Sequence, residues 1–268
     1  MCEIFAVSSR KAQRYDRYLS EFFSDAVKHP HGWGLCWHEG PDMELTRLFK
    51  EPVTAVESAY LDYLLNMGVE SKLLIAHIRN ATRGIVSYGN THPFIANDSS
   101  GRQWVLCHNG TVFDNRLLEA FEEVQLGTTD SERIMLYLID AIDRAQAECG
   151  SSLDETTRFE LLSQQMERLS PDNKLNLAFD DGEFLYIHTN TEQPTLYVRE
   201  TVDKVLVCSR PLGEGWHEVE RGRLIVYRDG ERVYASPAHS CLFDNDAYLQ
   251  LVATWTAEDQ QLGQQLSQ

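Results

Sequence analysis

The chain has 268 residues, 43% hydrophobic and 10% aromatic, enough for one large domain with a well-filled core. Its 24 Lys+Arg against 41 Asp+Glu give a net charge of −17, which repels phosphate backbones and anionic membrane surfaces and argues against nucleic-acid binding. No apolar run approaches the ~18 residues of a membrane span and no signal-peptide pattern opens the chain, so the expected location is the cytoplasm.

In chain order, "EIFAVSS" reads as a strand and "RYDRYLSEFFSDAV" as a helix, with Tyr15, Tyr18, Leu19, Phe22, Phe23 and Ala26 on one face. "GWGLCWHEG" is a glycine-punctuated loop entering a strand, and "MELTRLFK" is its hairpin partner. "VESAYLDYLLNMG" predicts a helix ended by Gly68. "LLIAHIR" is a buried strand, near-continuously apolar, and "RQWVLCHNG" a strand ending in an Asn-Gly turn. Two helices follow, "DSERIMLYLIDAIDRAQAE" and "ETTRFELLSQQMERL".

After Pro171 come short strands: "KLNLAFD", "EFLYIHT", "TLYVRE", "KVLVCS", "GRLIVYR" and "ERVYAS". Asp181-Gly182 and Asp229-Gly230 mark turns between two of the pairs. The order strands, helices, strands predicts an α+β domain of two largely antiparallel sheets with helices outside. Early and late strands should share sheets, so the domain is expected over residues 2–245, with a tail at 246–268.

Six cysteines, Cys2, Cys36, Cys107, Cys149, Cys208 and Cys241, are far apart and form no CxxC pair, so neither zinc nor dithiol chemistry is indicated. Nothing implies a metal or an organic cofactor. Cys2 alone stands where it becomes the first residue once methionine is trimmed. A free α-amine has a pKa near ~7.7–8.0 against ~8.5 for a thiol, so one residue then carries both nucleophile and base. Taken alone, Cys2 reads first as a packing residue.

Four further stretches read in two ways. Arg79 ends the apolar strand of "AHIRNATRG": either an edge arginine in solvent or a fork for a carboxylate, with Thr82 beside it. His77, on the same strand face, reads as a satisfied core histidine. In "CHNGTV", Asn109-Gly110 is a hairpin signal or a pair of neutral donors suited to an oxyanion. Asp130 in "TTDSERIML" is an N-cap, or yields that place to a Thr129–Glu132 capping box; its carboxylate also suits a substrate ammonium. "NTHPF" alone is only a loop signal.

Together, Cys2, "HGWG", "AHIRNATRG", "NTHPF", "HNG" and "TDSE" occur in an order that resembles the class II glutamine amidotransferases, N-terminal-nucleophile hydrolases. The later "LNLAFDDGEFLYIHTN", "VLVCSRPLGEGW" and "GRLIVYRDG" look like the stand-alone bacterial branch of that family. The resemblance implies a four-layer α-β-β-α sandwich. It implies Cys2 as nucleophile and Asn109 and Gly110 as the oxyanion pair. It further implies Arg79 and Thr82 at the glutamine α-carboxylate, Asp130 at the α-amine, and Trp33 and His92 as further substrate contacts.

The activity so implied is hydrolysis of the γ-carboxamide of L-glutamine, or of a γ-glutamyl amide, through a Cys2 thioester. After residue 235 too little chain follows for a synthase domain, so either an ammonia-accepting partner protein takes the product or no transfer occurs. Two alternatives stand beside this: a γ-glutamyl peptide or amine hydrolase with little glutaminase activity, and a catalytically silent glutamine-sensing or complex subunit, which retained Met1 would favour.

Overall fold

The computed structural model describes residues 2–40, 45–81, 85–247 and 250. Thirteen strands fall in chain order: β1 (Glu3–Arg14), β2 (Trp33–Glu39), β3 (Leu45–Glu51), β4 (Glu70–Ile78), β5 (Phe94–Asn97), β6 (Gln103–His108), β7 (Asn176–Asp180), β8 (Leu185–Thr189), β9 (Tyr197–Glu200), β10 (Lys204–Cys208), β11 (His217–Glu218), β12 (Arg223–Arg228) and β13 (Glu231–Ala235). Accompanying them among the described residues are the helices α1 (Asp16–Ser24), α2 (Ala59–Met67), α3 (Asp130–Cys149) and α4 (Glu155–Leu169).

One sheet has the order β11-β9-β10-β1-β4-β2-β3, the other β13-β12-β8-β7-β6-β5, and the strand neighbours pair antiparallel. Strands from before and after Pro171 therefore share both sheets. Alternation along the strands sorts side chains into three apolar layers. Ile4, Ala6, Cys36, Ile75, Val105, Cys107, Ala178 and Ile187 fill the space between the sheets. Phe5, Val7, Trp33, Leu35, Leu74 and Ile78 face the other way and meet Leu19, Phe22 and Phe23 of α1 and Leu61 of α2. Leu106, Leu177 and Phe179 back onto Ile134, Leu138 and Leu162 of α3 and α4. The result is the α-β-β-α sandwich.

Local chemistry sets the element ends. The Ser58 hydroxyl accepts from the Leu61 N–H (3.0 Å) at the start of α2, and Gly68 follows its last turn at φ 82°. Asp154 accepts from the Thr157 N–H (2.8 Å) to start α4. Asp229 (φ 51°) and Gly230 (φ 77°) make the expected turn between β12 and β13. Two strands lie outside the sequence expectation. β5 grows out of "NTHPF" and the two-residue β11 pairs with β9; neither is long enough to show periodicity. β1 also runs past the seven residues expected of it, through an irregularity between Ser8 and Gln13. The expected tail falls largely outside the described residues, as do Met1 and Thr82.

Candidate active site

β1 and β4 lie side by side with Glu3 opposite Ile78 and Ile4 opposite His77, so Cys2 falls next to Arg79, on the face that looks at the second sheet. The Cys2 sulfur sits against the backbone of Asn80: Sγ accepts from the N–H at 3.4 Å and donates to the carbonyl at 3.6 Å. Burial pushes the thiol pKa up; the Asn80 N–H and the Arg79 charge pull against it, and Asp130 adds to the rise. At rest the sulfur is held as a thiol, which a base must deprotonate.

Arg79 is buried, and its Nη1 donates to the Ile85 carbonyl at 3.3 Å. The "HPHGWG" segment braces this strand end. The His31 N–H donates to the Arg79 carbonyl (3.1 Å), Arg79 N–H to the Gly32 carbonyl (2.8 Å), and Ala81 N–H to His31 Nδ1 (2.9 Å). Gly34 has a separate reason to be glycine: a Cβ there would lie 2.0 Å from the His92 carbonyl oxygen.

Across the gap, β6 delivers Asn109 and Gly110. Asn109 is bonded twice to Asn176 through its backbone: its N–H donates to the Asn176 carbonyl (2.9 Å) and its carbonyl accepts from Asn176 Nδ2 (2.8 Å). Its side-chain amide has no partner among the described residues, which leaves a donor in hand. At Gly110 a Cβ would meet the Lys174 carbonyl oxygen at 1.9 Å, so no other residue brings a backbone N–H to this place.

Asp130 is the first residue of α3, one place inside the cap. Thr129 caps the helix, its hydroxyl accepting from the Glu132 N–H at 3.3 Å. Glu132 does not complete a capping box; its carboxylate accepts instead from Leu126 N–H and Gly127 N–H, both at 2.7 Å. Asp130 Oδ2 accepts from the Val112 N–H at 2.7 Å. A pocket of about 210 Å³ opens here, lined by Gly110, Thr111, Val112, Thr128, Thr129, Asp130 and Arg133. That is below the ~300–1,000 Å³ of drug-sized sites and suits a small polar ligand.

Two expected contacts sit elsewhere. Trp33 is fully buried on the helix side of its sheet, edge-on to Phe23 (6.0 Å) with its indole N–H on Glu51, so it does not line the pocket. The strand's alternation sends it inward, while Gly34 takes the inter-sheet face. His92 packs between His77 (ring centroids 4.2 Å) and Phe94 (4.6 Å), behind the pocket rather than in its lining. His77 is core, yet not satisfied: no ring nitrogen of His77 or His92 meets a hydrogen-bond partner. Burial drives both pKa values well below the ordinary range, so both rings are neutral.

Three participants carried no sequence signal of their own. Asn80 cradles the sulfur through its backbone, which any residue type supplies. Asn176 fixes Asn109. Lys174 is buried, with Nζ donating to Asn245 Oδ1 at 2.7 Å; burial lowers its pKa to about 8 while the nearby Cys2 opposes the drop. On the opposite face of β1, ligand atoms of Glu3, Asp25 and His29 lie within 4.8 Å of one another, but Arg210 Nε already meets Glu3 at 3.2 Å and Asp25 at 3.8 Å. The arginine supplies the cation that two carboxylates require.

The model of the class II glutamine amidotransferases matches residues 1–201. The chain belongs to the class II glutamine amidotransferases. It is similar to the uncharacterised protein MJ1515 of Methanocaldococcus jannaschii, at 27% identity over 88% of this chain and 72% of that one. A Haemophilus influenzae protein named as a glutamine amidotransferase is 26% identical over 76% of each chain. In fold it resembles the glutamine phosphoribosylpyrophosphate amidotransferase of B. subtilis, with TM-score 0.66 at 17% identity over 90% of this chain and 50% of that one. The two-sheet sandwich is thus the N-terminal-nucleophile fold of this family. No described helix is long and apolar enough to cross a membrane.

Proposed function

We propose that this class II amidotransferase chain hydrolyses the γ-carboxamide of L-glutamine through Cys2, after methionine removal frees the Cys2 amine. One observation carries the reading. The β1–β4 register sets Arg79 beside Cys2, Asp130 is near enough for its charge to act on the Cys2 thiol, and Gly110 and Asp130 line one pocket. Arg79 holds the α-carboxylate and Asp130 the α-ammonium, so the γ-amide is presented to the sulfur.

The Cys2 amine takes the thiol proton as sulfur bonds to the amide carbon, and the carbonyl electrons move to oxygen against Asn109 and the Gly110 N–H. The resulting ammonium protonates the amide nitrogen, the C–N bond breaks, and ammonia leaves. Water, losing a proton to the same amine, attacks the thioester carbon; the C–S bond breaks and the thiol is restored with release of glutamate.

The test is glutamate release from L-glutamine by protein whose intact mass shows methionine removed, set beside Cys2→Ala. Turnover that survives in the variant removes Cys2 from the reaction. A second reading is hydrolysis of a γ-glutamyl amide with a leaving amine larger than ammonia, which would use the same head-group residues. Release of glutamate from γ-glutamyl amides of apolar amines faster than from glutamine favours it.

A further inference from the structure

"NTHPF" has no role in the chemistry above, yet its first residue joins the two halves of the ligand site. Asn90 is almost wholly buried. Its Nδ2 donates to the Ile85 carbonyl (3.1 Å) and to Thr128 Oγ1 (3.0 Å), and its Oδ1 accepts from the Thr128 N–H (2.7 Å). The Ile85 carbonyl is also the acceptor of Arg79 Nη1 (3.3 Å). Thr128 precedes the Thr129 cap and Asp130. One amide therefore connects the guanidinium to the start of α3.

The junction has no slack. A Cβ on Gly127 would stand 2.4 Å from Asn90 Oδ1 and 2.7 Å from the Gly89 carbonyl oxygen, so the two loops touch backbone to backbone. Glu132 pins the far side of the same turn through Leu126 and Gly127. The residue type follows from the partners: two acceptors and one donor must be met by one short, uncharged side chain, and only asparagine offers that set at this length.

Resting on the proposed function, we propose that Asn90 is the positioning residue that sets the separation of the carboxylate fork, Arg79, from the ammonium acceptor, Asp130. It makes the site selective for an intact α-amino acid head group. It touches neither the substrate nor the sulfur. A misplacement of about 1 Å in such a clamp costs on the order of 10²-fold.

Asn90→Asp is the near-isosteric test: it removes both donors and faces the Ile85 carbonyl with a charge. Two Cys2 electrophiles are compared on Met-processed protein. One is 6-diazo-5-oxo-L-norleucine, which carries the α-amino acid head group; the other is iodoacetamide, which lacks it. The expected result is a 10- to 100-fold fall in the inactivation efficiency of the first, mostly through weaker binding, with the iodoacetamide rate within about 3-fold of the parent. Thr128→Val, which removes one of the three bonds, shifts the same ratio less and serves if Asn90→Asp does not fold.

An unchanged ratio overturns the proposal, and so does an equal fall for both reagents, which marks a general loss of structure. If the parent protein itself is not labelled at Cys2 by the glutamine analogue, it is the proposed function that fails.

Discussion

At the end of the sandwich remote from Cys2, Asp181 lies in the turn between β7 and β8 with its oxygens taken: Arg158 Nε at 2.9 Å, the Tyr186 hydroxyl at 3.0 Å, and the N–H groups of Phe184 and Glu183 at 2.8 and 3.1 Å. Asp180 accepts from or shares a proton with His38 Nε2 at 2.7 Å beside it. At the Cys2 end the Asn109 side-chain amide has no partner among the described residues, and the ring nitrogens of His77 and His92 are buried without one. Both ends are polar. Where every donor is matched, the group holds the fold; where a donor is left over next to a pocket, it is free to meet a ligand.

Substitutions that remove one side or the other break or sharpen this contrast. Cys2→Ala should have the largest effect, a loss of glutamate release of roughly 10⁶-fold as for other nucleophile deletions, with the melting temperature unmoved, since the sulfur makes only the long Asn80 contacts. Asp181→Ala should do the reverse. It takes from buried Arg158 its nearest carboxylate and leaves the more exposed Glu183 at 3.7 Å as counter-charge, at a cost of up to about 3–5 kcal/mol, seen as a fall in Tm of about 2–4 °C per kcal/mol, while turnover at low temperature persists. A Tm within a degree of the parent would show that the network contributes nothing.

Asn109→Ala should lower kcat by ~10²–10³, about 2.7–4 kcal/mol, and leave Tm nearly constant, because the group deleted holds nothing in the resting protein. A large Tm loss would place it with Asp181 instead.

The smallest effect expected is acid lability. Burial, with His239 nearby, lowers the pKa of His188 to about 3 from 6.5, and burial drives His77 and His92 down as well. The unfolded chain takes up these protons below ~6.5 and the folded protein resists them, so stability is lost as pH falls through the range below ~6.5. Glu3, whose pKa burial raises to about 7, works in the opposite sense between 4.5 and 7, as does His38, raised by Asp180, but His31, His108 and His239 are lowered along with His77, His92 and His188 and outnumber them. A Tm that does not fall between pH 7 and 5 contradicts this balance.

Much of the scaffold was legible. A near-continuous apolar run named β4, the 3.6 spacing of Leu19, Phe22 and Phe23 named α1, and Gly68 and Asp229-Gly230 placed the end of α2 and the β12–β13 turn. The proposed site was legible as an ordered set of motifs, because Cys2, Arg79, Asn109-Gly110 and Asp130 each end or begin an element. Trp33, expected at the pocket from its place in "HGWG", is sent by strand alternation to the helix side.

The amino-acid order alone determined the periodicities, the turn residues and the chemical types available, since these are local properties of the chain. Which side chains share a face, which backbone group touches the sulfur, and which buried amides are left unmatched depend on strand register and sheet packing. Those bring Ile85 and Thr128 onto one asparagine from loops far apart in the chain, and no local pattern encodes that meeting.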